Sequence, residues 1–537
     1  MSMLTEPHNS RERFLQQIAL PPVSPELGAV LRGHRTDAPC SGAVADALRG
    51  PLARMRISLG EAPFLADGHL RNPNGLEASP PVSDFVVLVN TGGFNQPGLE
   101  CARVWSESVR NTWGHNASFL VSTDASGTAS EKLEQMVGPG GVPGLLLGET
   151  GSGLKSSLRE ALLRALMSDR GSTSLSSEEN VARFNAAFAL LAPGMVGSMN
   201  LGLLVASIAG RRCVAVVDDD ALPFASLDEG QVPVDVLGVL TRALCGPGFE
   251  FESLAGTGWE DTGSDVTLRA DNSELTTVSS AHFQTLGDED YRATAGEDWL
   301  SYGADEDIVD QIFEGLIPFE PHRKVLGRAY KRSRARSFGT AAGLLLDPEF
   351  TPFMYATPFR VMDFLMGDFV VAATRTPGGI VPTALTHRRA KHTGSGRGRL
   401  SGYVGTEFFA WTFYHYVADA ILGNPREKSE PAQIWLVRIG RALLSRGFSY
   451  GECSRAILLR QARLEEGLRQ TTASAVRAYL EREYAILPDE NSLHQMATRE
   501  LQKVAVQTQV WGEILNLWEH PNVEIGLMQE EMRGRLL

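Results

Sequence analysis

Two short apolar runs stand out in the hydrophobic pattern. They are Phe85 to Val89 (FVVLV) and Cys213 to Val217 (CVAVV), both rich in β-branched residues. Such runs read as strands buried on both faces. Ser118 to Val121 and Leu145 to Leu147 read as two further strands. Helical stretches fall between them. Pro97 opens one that runs to about Val109, with proline at a first-turn position. Others cover Ser130 to Val137, Lys155 to Met167, Glu178 to Leu191, Met199 to Ala209 and Val232 to Leu244. Strands alternating with helices predict an α/β fold with a doubly wound, mostly parallel sheet. Ile380 to Leu385 reads as its last strand, and Pro382 within it favours an edge position.

The pattern changes at both ends of this region. Residues 1–83 are rich in Pro, Gly and Arg with weak periodicity, and only short helices near Arg11 to Ile18 and Ala43 to Met55 are expected. They read as an N-terminal extension. From Tyr403 onward the apolar residues recur at three- and four-residue intervals, which is helical spacing. Helices are expected at Phe408 to Ile421, Ile434 to Leu444, Cys453 to Leu468, Ala473 to Tyr484 and Leu493 to Trp518. The domain reading is therefore an extension (1–83), an α/β domain (84–400) and a helical C-terminal region (401–537). The helical region either covers part of the site or makes an oligomer contact. Residues from about 256 to 310 carry many carboxylates and few basic residues, and read as a solvated acidic insertion.

Composition narrows the function classes. The net charge of −14 and pI of about 5.4 give no general affinity for nucleic acid. The five cysteines, Cys40, Cys101, Cys213, Cys245 and Cys453, show no metal-type spacing and no disulfide framework, so a reducing cytoplasm is the simplest setting. The N-terminus lacks the apolar core of a signal peptide, and no apolar run is long enough to span a bilayer.

The candidate chemistry starts where the second apolar run ends. Asp218, Asp219 and Asp220 follow Val217 directly. A carboxylate cluster at the C-terminal end of a buried strand sits where α/β folds bind ligands. Adjacent carboxylates raise one another's pKa unless a cation neutralises them. A hard ion such as Mg²⁺ or Mn²⁺ suits oxygen ligands. The alternative is a solvated acidic turn. Upstream lies Asn200-Leu201-Gly202-Leu203, then Ala206 and Gly210. This helix, turn, strand and acid order resembles the nucleotide-sugar glycosyltransferases of the GT-A fold, above all the family 2 group. An N-x-G-L helix and an apolar strand there lead into an Asp-x-Asp motif. The helical tail loosely resembles that of the mannosylglycerate synthases within the same fold class.

The resemblance covers about residues 84 to 392 and assigns roles. Asp218 and Asp220 would hold a metal bridging the donor diphosphate. Asp219 stands between them as a nucleotide contact, and which pair of the three holds the ion is open. His387, or else His392, matches a metal-binding imidazole after the last strand; imidazole suits Mn²⁺ better than Mg²⁺. Asp124, at the end of the second strand, matches the acid that binds the base; an Asx-turn or N-cap is the alternative. Asn90 borders the nucleotide. Asp363, with Asp368 in reserve, matches the base that deprotonates the acceptor hydroxyl. The stretch Gly148 to Ser156 (GETGSGLKS) is similar to a phosphate-binding P-loop, but Leu154 displaces the lysine and hydroxyl from the places that mechanism needs. In the glycosyltransferase picture the loop borders the donor, and Lys155 is a phosphate contact.

The expected activity is transfer of a sugar from a nucleoside-diphosphate sugar to a hydroxyl on a small-molecule or glycan acceptor. The alternatives are a nucleotidyltransferase on a similar sheet and a non-catalytic scaffold. A basic stretch from His322 to Arg336 offers guanidinium groups to a phosphate or carboxylate, or is plain surface charge.

Overall fold

The computed structural model describes residues 85–91, 95–112, 115–124, 135, 137, 141–149, 153–168, 177–219, 221–227, 230–233, 236–245, 254–261, 266–268, 275–277, 331–332, 341–345, 350–358, 362–375, 379–387, 409–470, 481 and 484–536. The expected helices near Arg11, Ala43 and Ser130, His392, and most of the acidic stretch lie outside them.

The protein is α/β. Its parallel core is β1 (Phe85–Thr91), β2 (Ser118–Thr123), β3 (Leu145–Leu147) and β4 (Cys213–Asp218). These strands lie side by side in the order β4-β1-β2-β3. β4 is flanked by β12 (Ala341–Leu345), which runs antiparallel to it. β8 (Leu254–Asp261) and β13 (Gly379–His387) follow, parallel to each other. β8 is antiparallel to β12, so β8 and β13 run in the same direction as β4. Two short strands, β5 (Ala221–Leu222) and β11 (Lys331–Arg332), pair antiparallel with opposite ends of β13. Two antiparallel hairpins, β6 (Phe224–Leu227) with β7 (Gly230–Pro233) and β9 (Val266–Leu268) with β10 (Leu275–Thr277), stand outside this sheet.

The residues that begin the expected acidic insertion thus form part of β8, inside the main sheet. Pro382 sits in β13 at a register irregularity between Ile380 and Ala384. β11 and β5 pair only with residues 379–380 and 386–387 of β13. Pro382 falls between them, where its missing N–H costs no ladder bond on that side among the described residues.

Alternation in the strands sorts residues between two helical layers. Val86, Leu88, Leu120, Val214 and Val216 belong to one large core with α2 (Leu154–Ser168), α3 (Ser177–Leu191) and α4 (Met195–Ser207). The opposite face carries α1 (Asn95–Ser106), whose Gly98 presses on Thr91 so closely that a Cβ there would clash. Gly202 has the same function on the α4 side: an added Cβ would lie 2.8 Å from Leu88 Cδ1. Asn200 is fully buried and donates to Leu190 O and Met354 O, while its Oδ1 accepts from Met354 N. Both residues that carry the N-x-G-L resemblance therefore have packing reasons to be there.

The C-terminal helices share this core. They are α7 (Ala410–Leu422), α8 (Ala432–Ser445), α9 (Tyr450–Gln470), α10 (Glu490–Glu519) and α11 (Val523–Leu536), preceded by α6 (Met362–Thr374). α5 (Val236–Cys245) lies earlier in the chain and packs near β12 and β13. The extended segment 350–357 joins the layers. Trp511 Nε1 donates to Thr351 O at 2.9 Å, the Tyr355 hydroxyl meets Thr508 Oγ1 at 2.6 Å, and Gln507 exchanges hydrogen bonds with both the N–H and C=O of Ala356. Phe353 stacks on Trp511, and Phe369 packs edge-on to Trp435. Trp518 Nε1 reaches Ser207 Oγ, and Arg533 reaches Ile208 O, fastening α10 and α11 to the end of α4. Among the described residues, no single helix is long and apolar enough to cross a membrane.

Candidate functional site

From β1 the chain passes through α1 to β2 and β3 on one side, then returns to β4 on the other side of β1. The winding reverses between β1 and β4. Open α/β sheets bind ligands in the crevice outside the C-terminal ends of two such strands. Asn90 and Asp218 occupy those ends and are register partners.

Asn90 is buried, at 6% exposure. Its Nδ2 lies 3.5 Å from Met195 O, at the limit of a hydrogen bond, and its Oδ1 is buried with no hydrogen-bond partner among the described residues. Buried polar atoms are paired with few exceptions, and an exception calls for a physical account. A carbonyl oxygen without a donor, at the mouth of a switch-point crevice, is suited to accept from a ligand N–H or O–H.

Asp218 and Asp219 are partly buried at the same edge. Asp220 lies outside the described residues. The chain at Asp218 and at Ala221 is held from the α1 side. Trp105 Nε1 donates to Ala221 O at 2.8 Å; Cys101 Sγ lies 3.2 Å from the same oxygen and 3.5 Å from Asp218 O. The chain then enters β5, where Ala221 is the register partner of His387. On the other side of β13, His387 is the partner of Asp261. Backbone register thus gathers the acidic turn, His387 and Asp261 at one edge of the sheet. Asp261 was read as part of a solvated insertion; a three-strand register relation has no signature in local sequence. The side chains of His387 and Asp261 lie outside the described residues.

Asp363 is the second residue of α6, and its side chain too is outside the described set. Four residues, 375–378, join α6 to the start of β13. Asp368, further along α6, is fully buried.

Lys155 is corrected. Its side chain is 0% exposed, and its ammonium donates to Thr123 O (2.7 Å), Asp124 Oδ1 (2.6 Å) and Ser198 Oγ (2.6 Å). An ammonium has three N–H donors, so all are taken inside the protein and none is left for a phosphate. Burial pushes its pKa below the usual lysine value, with Asp124 and then Glu149 opposing that shift. Glu149 is in turn gripped by both terminal nitrogens of Arg159 at 2.7 Å. Gly153, at φ +62°, turns the chain into α2 so that Lys155 starts its buried stripe with Leu158 and Leu162. That three- and four-residue spacing was the available signal. Asp124, expected to bind a base, has one carboxylate oxygen committed to Lys155 and a side chain 10% exposed.

Carboxylate oxygens with an imidazole are a donor set that suits Mn²⁺ and, less well, Mg²⁺. The backbone relation of His387 to the acidic turn fits such a site. Among the described residues no three His, Cys, Asp or Glu side chains converge as a metal-binding group. Comparison with protein-family models and with curated proteins finds no match for the chain.

Proposed function

We propose that this protein is a metal-dependent glycosyltransferase of GT-A type, moving a sugar from a nucleoside-diphosphate sugar to a hydroxyl of a small-molecule or glycan acceptor. One observation carries the reading: at the switch point between β1 and β4 a buried acceptor, Asn90 Oδ1, has no hydrogen-bond partner among the described residues and stands in register with Asp218. The parallel four-strand core with its helices and the register of His387 with Ala221 support it.

In this reading Asp218 and Asp220, with His387, hold Mn²⁺ or Mg²⁺, which supplies the positive charge that makes a nucleoside diphosphate a good leaving group. Asn90 accepts a hydrogen bond from the nucleoside, and Asp219 borders the diphosphate. The outer oxygen of Asp124 is the base contact, with Lys155 behind it. Asp363 takes the proton from the acceptor hydroxyl as that oxygen attacks the anomeric carbon, a role that presumes inversion there. The three buried free thiols, Cys101, Cys213 and Cys453, suit the reducing cytoplasm, where we place the protein.

Calorimetry with UDP and with GDP, each with and without Mn²⁺, tests the proposal. Binding of one nucleotide that strengthens with Mn²⁺, and whose Mn²⁺ response disappears in Asp220→Ala, is the expected result. A chain that binds neither is a scaffold. One that releases pyrophosphate from a nucleoside triphosphate is a nucleotidyltransferase.

A further inference from the structure

Resting on that reading, we infer that Trp105 is a positioning residue for the cation site, acting through a single backbone oxygen, Ala221 O. Trp105 is fully buried, and its indole N–H, a donor only, meets that oxygen at 2.8 Å. Cys101, four residues earlier on the same face of α1, brings its thiol to 3.2 Å from the same oxygen. Ala221 is itself fully buried. It closes the turn that carries Asp218 and Asp219, and it opens β5, whose register partner is His387. The oxygen gripped by the indole therefore lies at the junction of the two halves of the proposed ligand set.

The argument is one of precision. Bound-ion sites require their ligands to be held within about half an ångström by the groups behind them. A turn rich in carboxylates is poorly suited to hold itself, since its side chains repel one another. Here the restraint comes from the opposite layer of the fold, through a strong N–H donor and a weaker thiol. α1 also begins at Asn95, five positions after Asn90, so the same helix is tethered to both walls of the crevice. Neither residue is placed to touch a ligand.

The test is Trp105→Phe, which keeps an aromatic ring in the pocket and removes the donor. UDP binding is measured by calorimetry as Mn²⁺ is titrated, and again without metal. The expected result is a folded protein whose Mn²⁺ half-saturation rises about tenfold, the range seen when groups behind metal ligands are removed, with metal-free UDP affinity unchanged. Adding Cys101→Ser to that variant puts a stronger hydroxyl donor near the same oxygen and restores most of the loss. If Trp105→Phe does not fold, Cys101→Ala gives the same readout, with a rise of about twofold expected from losing the weaker donor. Equal weakening with and without metal, or no change in either variant, overturns the inference alone. A wild-type chain whose nucleotide binding ignores Mn²⁺ overturns the glycosyltransferase reading and this inference with it.

Discussion

Lys155 and Asn90 are buried at the same edge of the sheet, one strand apart, and their polar atoms meet different fates. The Lys155 ammonium is enclosed by a carboxylate, a hydroxyl and a carbonyl, with Glu149 and Arg159 behind. The Asn90 carbonyl oxygen accepts no hydrogen bond among the described residues. The first cluster is complete as it stands, so its energy goes into joining β2, α2 and α4. The second leaves one acceptor without a donor among the described residues. A buried charge is therefore a poor guide to a binding site unless its partners are counted. At this edge the incomplete cluster, not the more highly charged one, marks the crevice.

The largest expected effect tests the closed cluster. Lys155→Met leaves the Asp124 carboxylate without its cation, and breaking a buried pair from one side costs about 3–5 kcal/mol. Denaturant unfolding should show that loss, and a change below about 1 kcal/mol would mean the cluster is not the strut described. Next comes the acidic turn. Asp218→Asn should weaken Mn²⁺-supported UDP binding about a hundredfold, or about 2.7 kcal/mol, while unfolding free energy shifts by less than in the lysine variant. Retained Mn²⁺ response would remove Asp218 from the ligand set. Third, Asn90→Ala should weaken UDP about tenfold, or about 1.4 kcal/mol. Its stability should change by no more than about 0.5 kcal/mol, because the lost acceptor had no partner in the fold. An unfolding loss equal to the binding loss would make Asn90 a structural residue.

The smallest effect is at the opposite edge. α1 runs into a π-helical turn, Glu107–Thr112, that leads back to the start of β2, where Arg110 donates to Ala117 O at 2.7 Å. Desolvation raises the Glu107 carboxyl from 4.5 to about 7, with Arg103 opposing. The folded state binds this proton more tightly than the unfolded chain does. The ionised carboxylate therefore costs stability as pH rises from 4.5 to 7, and the cost is complete above that window. Glu107→Gln should gain about 1 kcal/mol at pH 8, a figure reduced for partial solvent screening, and nothing at pH 4. Thermal melts at the two pH values give the answer.

Much of this was legible beforehand. The apolar runs of β1 and β4 announced the central strands, and the acids after Val217 announced where β4 ends. The helical spacing from Ala410 to Leu468 and from Leu493 to Trp518 announced α7, α8, α9 and α10, while the helix expected at Ala473 to Tyr484 falls mostly outside the described residues. What escaped shares one physical character. The bond from Trp105 to Ala221 spans 116 positions, and nothing in the periodicity of α1 says where an indole N–H will end. β5 is two residues long, too short for any alternation. Asp261 looked like one more acid in an acidic stretch, because its role depends on strand neighbours far away in the chain. Lys155 was read as a phosphate contact because its loop borders the donor in the glycosyltransferase picture, although its spacing with Leu158 and Leu162 pointed inward. Local pattern specified elements; it did not specify which distant backbone group each polar side chain would satisfy.

The shared core has a consequence for how the molecule is made. Met532 and Leu536, close to the last residue, are buried in the same cluster as Val86 and Leu88 of the first parallel strand. The back of the sheet is therefore unfinished until the residues of α11 have been made. A nascent chain carrying every proposed site residue would still show an uncovered greasy flank, and cutting the gene after β13 would produce inclusion bodies rather than a smaller folded protein.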